Sequence, residues 1–239
     1  MKSFMTGLAD LIFPPACCSC GALLGRGMTT FCGACLSEIR FIRAPLCPVC
    51  GIPYPNEEEI NHRCADCIRS KESFSLARAV GVYDAVLLEV IHRFKYRGRI
   101  NLGEVLGRFM AEFRYEDLRI EDYSLIVPVP LHRRRLKERG FNQAVVLARE
   151  ISRRHAVPMD FGVLKRKIYT EPQTGLGRDD RLRNIRGAFE VVRPEAVKEK
   201  KVLLIDDVYT TGSTVRECAR VLGKCGASEV AALTLARAV

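Results

Sequence analysis

The 239-residue sequence predicts an α/β protein: a parallel sheet flanked by helices, preceded by a small cysteine-rich zinc module. Three observations carry that expectation. Nine of the eleven cysteines lie between Cys17 and Cys67, strand-like and helix-like segments alternate from "ARAVGVYD" to the end, and 48% of the residues are hydrophobic. A chain of this length and composition buries a proper core and is not disordered; its size allows one ordinary domain plus a small one. We expect residues 1–70 to form the cysteine module and residues 71–239 the larger domain, with 68–75 as linker. No apolar run reaches the ~20 residues that span a bilayer, and Asp10 interrupts the short apolar start, which makes a poor signal peptide. A cytoplasmic location is expected.

The module comes first in the chain. Eight cysteines form four CxxC pairs: Cys17 with Cys20, Cys32 with Cys35, Cys47 with Cys50, and Cys64 with Cys67. A two-residue gap lets two thiolates of one tight turn face a single ion, and two such knuckles complete a tetrahedral four-sulfur site, so four knuckles make two zinc sites. Disulfides are disfavoured in a reducing compartment, and this even spacing differs from the tighter cysteine runs of ferredoxins. Sequential pairing, Cys17/20/32/35 then Cys47/50/64/67, needs only short loops; a cross-braced arrangement stays open. Cys18 is spare. Closed four-sulfur sites have no position for substrate, so a structural clip is expected rather than catalysis. The segment before the module places Phe4, Leu8, Leu11 and Ile12 on one helical face, suited to packing on the chain itself or on a partner.

In the larger domain, "ARAVGVYD" reads as a strand. "AVLLEVIHRFKY" and "LGEVLGRFMAEF" have helical apolar spacing. "SLIVPVPL" is a buried strand ended by prolines, "FNQAVVLAREISRRH" a helix and "GAFEVV" a strand. "KVLLIDD" is a strand, "STVRECARVLGKCG" a helix with a glycine stop, and "EVAALTLAR" the last strand. Strands alternating with helices imply a parallel sheet covered on both faces.

Charge divides along the same boundary. Residues 1–70 hold six Lys/Arg and six Asp/Glu, so the net +10 belongs to residues 71–239, with 32 basic against 22 acidic side chains. Between Arg133 and Arg186, fifteen Lys/Arg face six acids, in runs such as "HRRRLKER" and "KRK". Basic runs are commonly solvated faces; this density favours a phosphate-bearing partner, small ligand or nucleic acid.

"KVLLIDDVYTTGSTV" concentrates the chemistry. In an α/β sheet, ligands bind beyond the carboxyl ends of the strands, where "VLLI" delivers Asp206 and Asp207. Thr210, Thr211, Gly212, Ser213 and Thr214 then lead into a helix whose unpaired N–H groups and dipole suit a phosphate. Adjacent carboxylates accept hydrogen bonds from vicinal hydroxyls and attract a divalent cation, which together describes a grip for ribose 5-phosphate. The alternative is a plain strand–loop–helix corner with Thr and Ser as caps. No Walker or GxGxxG sequence competes elsewhere.

"VLLIDDVYTTGSTV" resembles the 5-phosphoribosyl 1-pyrophosphate (PRPP) motif of type I phosphoribosyltransferases. "FKYRG", "VPVPLHRRRLKERGFNQA", "TEPQTGLGRDDRLRNIRGAF" and the cysteine-rich start are similar to the ComF family of competence-associated proteins. This resemblance spans essentially the whole chain. It implies a phosphoribosyltransferase-like fold, Mg2+ with PRPP, ribose contacts from Asp206 and Asp207, and 5-phosphate contacts from residues 210–214. It also implies a role in natural transformation, with single-stranded DNA and DNA-uptake proteins as partners. "PVPLHRRR" occupies the place of a pyrophosphate loop, and the stretch around Arg178, Arg181 and Arg183 that of a flexible catalytic loop. Lys95, Arg97, Arg139, Asn142, Gln173, Arg181 and Asn184 sit in family-like motifs without a legible individual role. No general acid or base and no acceptor-recognition element can be read, so turnover stays open beside a non-catalytic DNA-binding adaptor and a transferase acting on a small molecule. Phe94, Tyr96, Phe141 and Tyr169, interleaved with basic residues, offer either stacking surfaces or core.

Overall fold

The computed structural model describes residues 15–239 apart from 26, 57, 71, 97–98, 170–184 and the side chain of Tyr96. Arg97, Gln173, Arg178, Arg181, Arg183, Asn184 and the segment from Phe4 to Ile12 therefore lie outside the described residues.

Four strands form one parallel sheet: β1 (Ala77–Val82), β2 (Leu125–Pro128), β5 (Lys201–Tyr209) and β6 (Glu229–Arg237), in the order β1-β6-β5-β2. β6 is buried along nearly its whole length, as expected for a strand with helices or loops on both faces. One face carries α3 (Ala85–Tyr96), α4 (Ile100–Glu112) and α6 (Gln143–His155), whose Leu87, Ile91, Leu106, Leu147 and Ile151 meet Val80, Ile126, Leu203 and Leu233. The other face carries α7 (Ser213–Lys224), with Val215, Ala219 and Leu222 against Val202, Leu204 and Ala232.

Two elements differ from the sequence expectation. "GAFEVV" forms β4 (Phe189–Val191), which leaves the parallel sheet and pairs antiparallel with a strand not foreseen, β3 (Leu164–Arg166). "HRRRLKER", read as a charge run whose start falls at the place of a pyrophosphate loop, folds into α5 (Arg133–Arg139). Its apolar content is too low for periodicity to reveal it. The caps settle it: His132 accepts from the Arg134 N–H, and Gly140 turns left-handed at φ +80°.

The cysteine module wraps the β1 edge. Its second and fourth knuckles each start a one-turn helix, α1 (Gly33–Ser37) after Cys32 and α2 (Ala65–Arg69) after Cys64. The chain between them pairs antiparallel with β1, Ile42 donating to the Val80 carbonyl at 3.0 Å and Val82 to that of Arg40 at 2.8 Å. This covers a strand edge that would otherwise present free backbone groups. Cys17, Phe31, Cys35 and Ile39 share a core with Val80, Leu87 and Leu106, while Cys47, Cys50 and Cys67 share the opposite one with Phe74, Ala77 and Tyr209. Each half of the module thus belongs to one face of the sheet.

Candidate functional site

The metal-ligand geometry is built first, because the knuckles are local. Gly21 at φ +79° and Gly51 at φ +71° follow the first and third pairs, and each donates its N–H to the carbonyl of Cys17 or Cys47 at 2.9 Å. A Cβ on Gly51 would sit 2.4 Å from the Ala77 carbonyl, so a side chain there would push the knuckle off β1. The sulfurs of Cys17, Cys20, Cys32 and Cys35 lie within 4.8 Å of one another, as do those of Cys47, Cys50, Cys64 and Cys67. This settles the open pairing as sequential. A zinc tetrahedron with ~2.3 Å bonds has sulfur–sulfur edges of about 3.8 Å; the Cys20–Cys32 and Cys50–Cys64 sulfurs are 3.7 Å apart. Cys18 is outside both groups, and burial pushes its thiol up to about 11.

The thiols of the second group differ in how readily they ionise. Burial raises Cys47, but backbone N–H groups of Cys64, Cys50 and Val49 more than offset this and hold it at about 7. Burial raises Cys50 to about 11 despite the nearby charge of Arg237. A divalent cation at the centre is what allows all four to be thiolates together.

Three arginines of the larger domain dock the knuckles. Arg93 donates to the carbonyls of Cys18 and Ser19 at 2.9 and 2.6 Å; Arg78 donates to that of Pro48 at 2.9 Å; Arg237 donates to that of Cys50 at 2.6 Å. Arg78 is also paired with Asp117. Sequence reading missed all three: Arg78 and Arg237 sit in apolar strands with no motif around them, and Arg93 precedes "FKYRG" without belonging to it.

The acidic pair stands in the carboxyl-terminal half of β5, which runs on to Tyr209 beside β6. Asp206 pairs in register with Thr234 of β6, and on the other side Val129, just past β2, donates to the Ile205 carbonyl at 2.9 Å. The "PVPL" turn is thereby pinned beside Asp206. Asn142 reinforces it: its side chain donates to the Val129 carbonyl at 3.0 Å and accepts from the Ala144 N–H at 3.0 Å, capping α6. Asn142 is a positioning residue. Arg139 ends α5 on the same basic run.

Lys95, in the last turn of α3, reaches Asp207 with Nζ 3.1 Å from Oδ2, both side chains largely buried. Burial opposes the charge on Lys95, and the carboxylates of Asp207 and Asp206 outweigh it, raising its pKa. Asp206 is raised to about 7, first by burial and then by the charge of Asp207; the Asp207 N–H at 2.9 Å, Lys95 and Arg166 pull the other way. Arg166, on β3, was missed except as part of "KRK". A basic run on an unpredicted strand does not show which cation turns inward.

The loop beyond β5 closes on glycine. Gly212 begins α7 at φ +74° without a side-chain cap, and a Cβ there would fall 2.1 Å from the Tyr209 hydroxyl. Thr211 and Ser213 hydroxyls meet at 2.7 Å, while Thr210 is exposed and Thr214 half-buried. The Ser213 N–H is only 3.5 Å from the Thr211 hydroxyl, a loose contact. The N–H groups opening α7 thus face the loop, an arrangement suited to an anion. Of the aromatics offered for stacking, Phe94 and Phe141 are buried together, their rings 5.4 Å apart, and belong to the core. Tyr169 lies at the surface under Arg134, 4.6 Å from its ring centre. Among the described residues, no helix is long and apolar enough to cross a membrane.

Residues 8–68 match the double zinc ribbon domain and residues 141–238 the phosphoribosyl transferase domain. Competence protein F of Haemophilus influenzae is 31% identical over 226 residues, covering 93% of this chain and 96% of that one. Competence protein ComFC of Bacillus subtilis is 30% identical, covering 86% and 83%. DNA utilization protein YhgH of Escherichia coli is 32% identical, covering 95% and 99%. Two sequential four-cysteine sites folded onto a phosphoribosyltransferase-type sheet, together with these full-length similarities, place the chain in the ComF family.

Proposed function

We propose that this chain is a PRPP-binding, phosphoribosyltransferase-like protein of the cytoplasm that acts in DNA uptake. One observation carries the reading: two adjacent carboxylates in the carboxyl-terminal half of a central strand, counter-charged by Lys95 at 3.1 Å, precede a glycine-opened loop at the start of a twelve-residue helix. Asp206 and Asp207 would take the ribose hydroxyls and Mg2+, and residues 210–214 the 5-phosphate. The "PVPLHRRR" turn, pinned next to Asp206, would supply positive charge to the pyrophosphate. Mg2+, when bound, would neutralise part of the leaving group's charge. The protein's own part is to orient the donor and stabilise developing positive charge on the ribose carbon with fixed carboxylates.

The names of the relatives, competence protein and DNA utilization protein, support placing the activity in DNA uptake, with DNA-uptake proteins among its partners. The basic surface from Arg133 onward supports single-stranded DNA as the nucleic acid. It equally favours a second reading, an adaptor that binds DNA without turnover. We further propose the division at residues 70/71 as a division of chemistry, zinc ribbon against donor site, rather than of folding, because the cores are shared.

Calorimetric titration with Mg2+ and PRPP tests the central reading. Binding is expected for the native chain and its loss for Asp206→Asn with Asp207→Asn; equal affinity in the double variant sinks the assignment. Pyrophosphate release, screened over nucleobase, nucleotide and single-stranded DNA acceptors, separates enzyme from adaptor.

A further inference from the structure

Beside the pinned "PVPL" turn, α5 and β3 enclose a groove of about 360 Å³, a size suited to a small ligand. Its lining includes three cations, Arg133, Lys165 and Arg166, and no carboxylate among the described lining residues. Neighbouring acids are already engaged: Asp160 by Arg193 at 2.5 and 2.7 Å, and Glu138 by Arg134 at 3.2 Å. Among the described residues no carboxylate pairs with Arg133 or Lys165, while Arg166 is shared with Asp206 of the acidic site.

Its apolar wall is open to water. Phe161 is 66% exposed and Leu136 is 42% exposed. Phe161 is the only phenylalanine classed as exposed among the described residues. A ring facing water beside these cations is a surface that a stacked base would cover. A flat apolar face next to cations matches a nucleotide: the base has a π-face for Phe161 and the phosphate has charge for Arg133 and Lys165. An acidic peptide would satisfy the cations but not the ring.

The surroundings favour a strand over a lone nucleotide. On the same α5, Arg134 lies over the Tyr169 ring at 4.6 Å, and His132 is 5.2 Å from that ring, a second cation–aromatic platform for the next unit. Leu131, lining the groove, lies two residues beyond Val129, which is bonded beside Asp206, so a strand seated here passes the donor site.

We infer that the groove between α5 and β3 seats one nucleotide of a single-stranded DNA, base on Phe161 and phosphate on Arg133 and Lys165. This rests on the single-stranded DNA reading above and adds the place and the mode. The test is fluorescence anisotropy of labelled oligo-dT and of an abasic strand of equal length, with the full zinc-loaded chain, at several salt concentrations. Phe161→Ala is expected to weaken oligo-dT binding about tenfold and Phe161→Trp to restore it, with the abasic strand insensitive to both. Arg133→Ala with Lys165→Ala is expected to lower the slope of log K against log salt by about 0.7, the value for the one phosphate that both hold. Lys198→Ala with Lys200→Ala, just before the opposite end of β5, is the control and leaves both quantities unchanged. If the groove variants match the control, or if the abasic strand binds as tightly as oligo-dT, the groove is overturned while DNA binding stands. Absence of binding by the native chain at low salt overturns both.

Discussion

Arg237 stands between the second cysteine site and the loop that opens α7: its guanidinium donates to the Cys50 carbonyl at 2.6 Å and lies over the Tyr209 ring at 4.4 Å. Tyr209 in turn fills the space that a side chain on Gly212 would need. A buried arginine, a buried ring and a glycine thus connect a zinc ligand to the opening of α7.

Gly212→Ala tests the far end of that chain of contacts. The left-handed conformation and the encounter with Tyr209 together should cost about 2–5 kcal/mol and displace the loop. Urea denaturation should show the loss of stability, and calorimetry the loss of Mg2+·PRPP binding. Full retention of both would mean that the loop adapts without Tyr209.

Zinc should amount to two ions per chain by elemental analysis. Taken alone, residues 1–70 suggest that chelation or Cys47→Ser with Cys50→Ser unfolds only the module. The shared cores change that expectation: Cys47, Cys50 and Cys67 pack with Phe74, Ala77 and Tyr209. Metal removal should therefore lower the melting temperature of the whole chain in one transition. Two separated transitions, with the larger one unmoved, would show that the module is dispensable for folding.

Asp206 gives a pH dependence whose sign can be worked out. Its carboxyl is raised from the ordinary 3.8 to about 7, first by burial and then by Asp207. Between those values the folded state holds a proton that the unfolded state has released, so this group lowers stability as pH rises and has no further effect above about 7. Asp206→Asn should raise the ligand-free melting temperature at pH 8. Mg2+ favours the ionised carboxyl, so its affinity should climb through pH 6 and level off above 7, with proton release measurable by calorimetry in buffers of different ionisation enthalpy. A flat affinity from pH 6 to 8 would remove Asp206 from the cation site.

Lys95→Met should destabilise the protein by about 2–3 kcal/mol, because it leaves two neighbouring carboxylates without their counter-charge. Lys95→Met with Asp207→Asn should recover most of the loss. Chemical denaturation of the four members of the cycle measures the coupling, and additive effects would show that the 3.1 Å contact contributes nothing.

The sequence by itself determined what depends on neighbours along the chain. The CxxC pairs declare their ligands because two thiols on one turn must face the same ion, whatever surrounds them. "VLLIDDVYTTGSTV" declares strand, acids, loop and helix because a buried run, a glycine and an apolar period are all local signals. Tertiary structure decided what joins distant segments. Sequential pairing of the cysteines follows from which knuckles the β1 edge holds together, and Asn142 became a capping residue because the Val129 carbonyl lies within its reach. Lys95 meets Asp207 because the end of α3 and the end of β5 converge over the sheet. Phe94 and Phe141 went inward while Phe161 stayed out, and no short-range pattern distinguishes them. Burial of a given side chain is set by the elements packed against it, so the charge balance of the site, and the arginines that tie it to the zinc ribbon, exist only once the sheet is assembled.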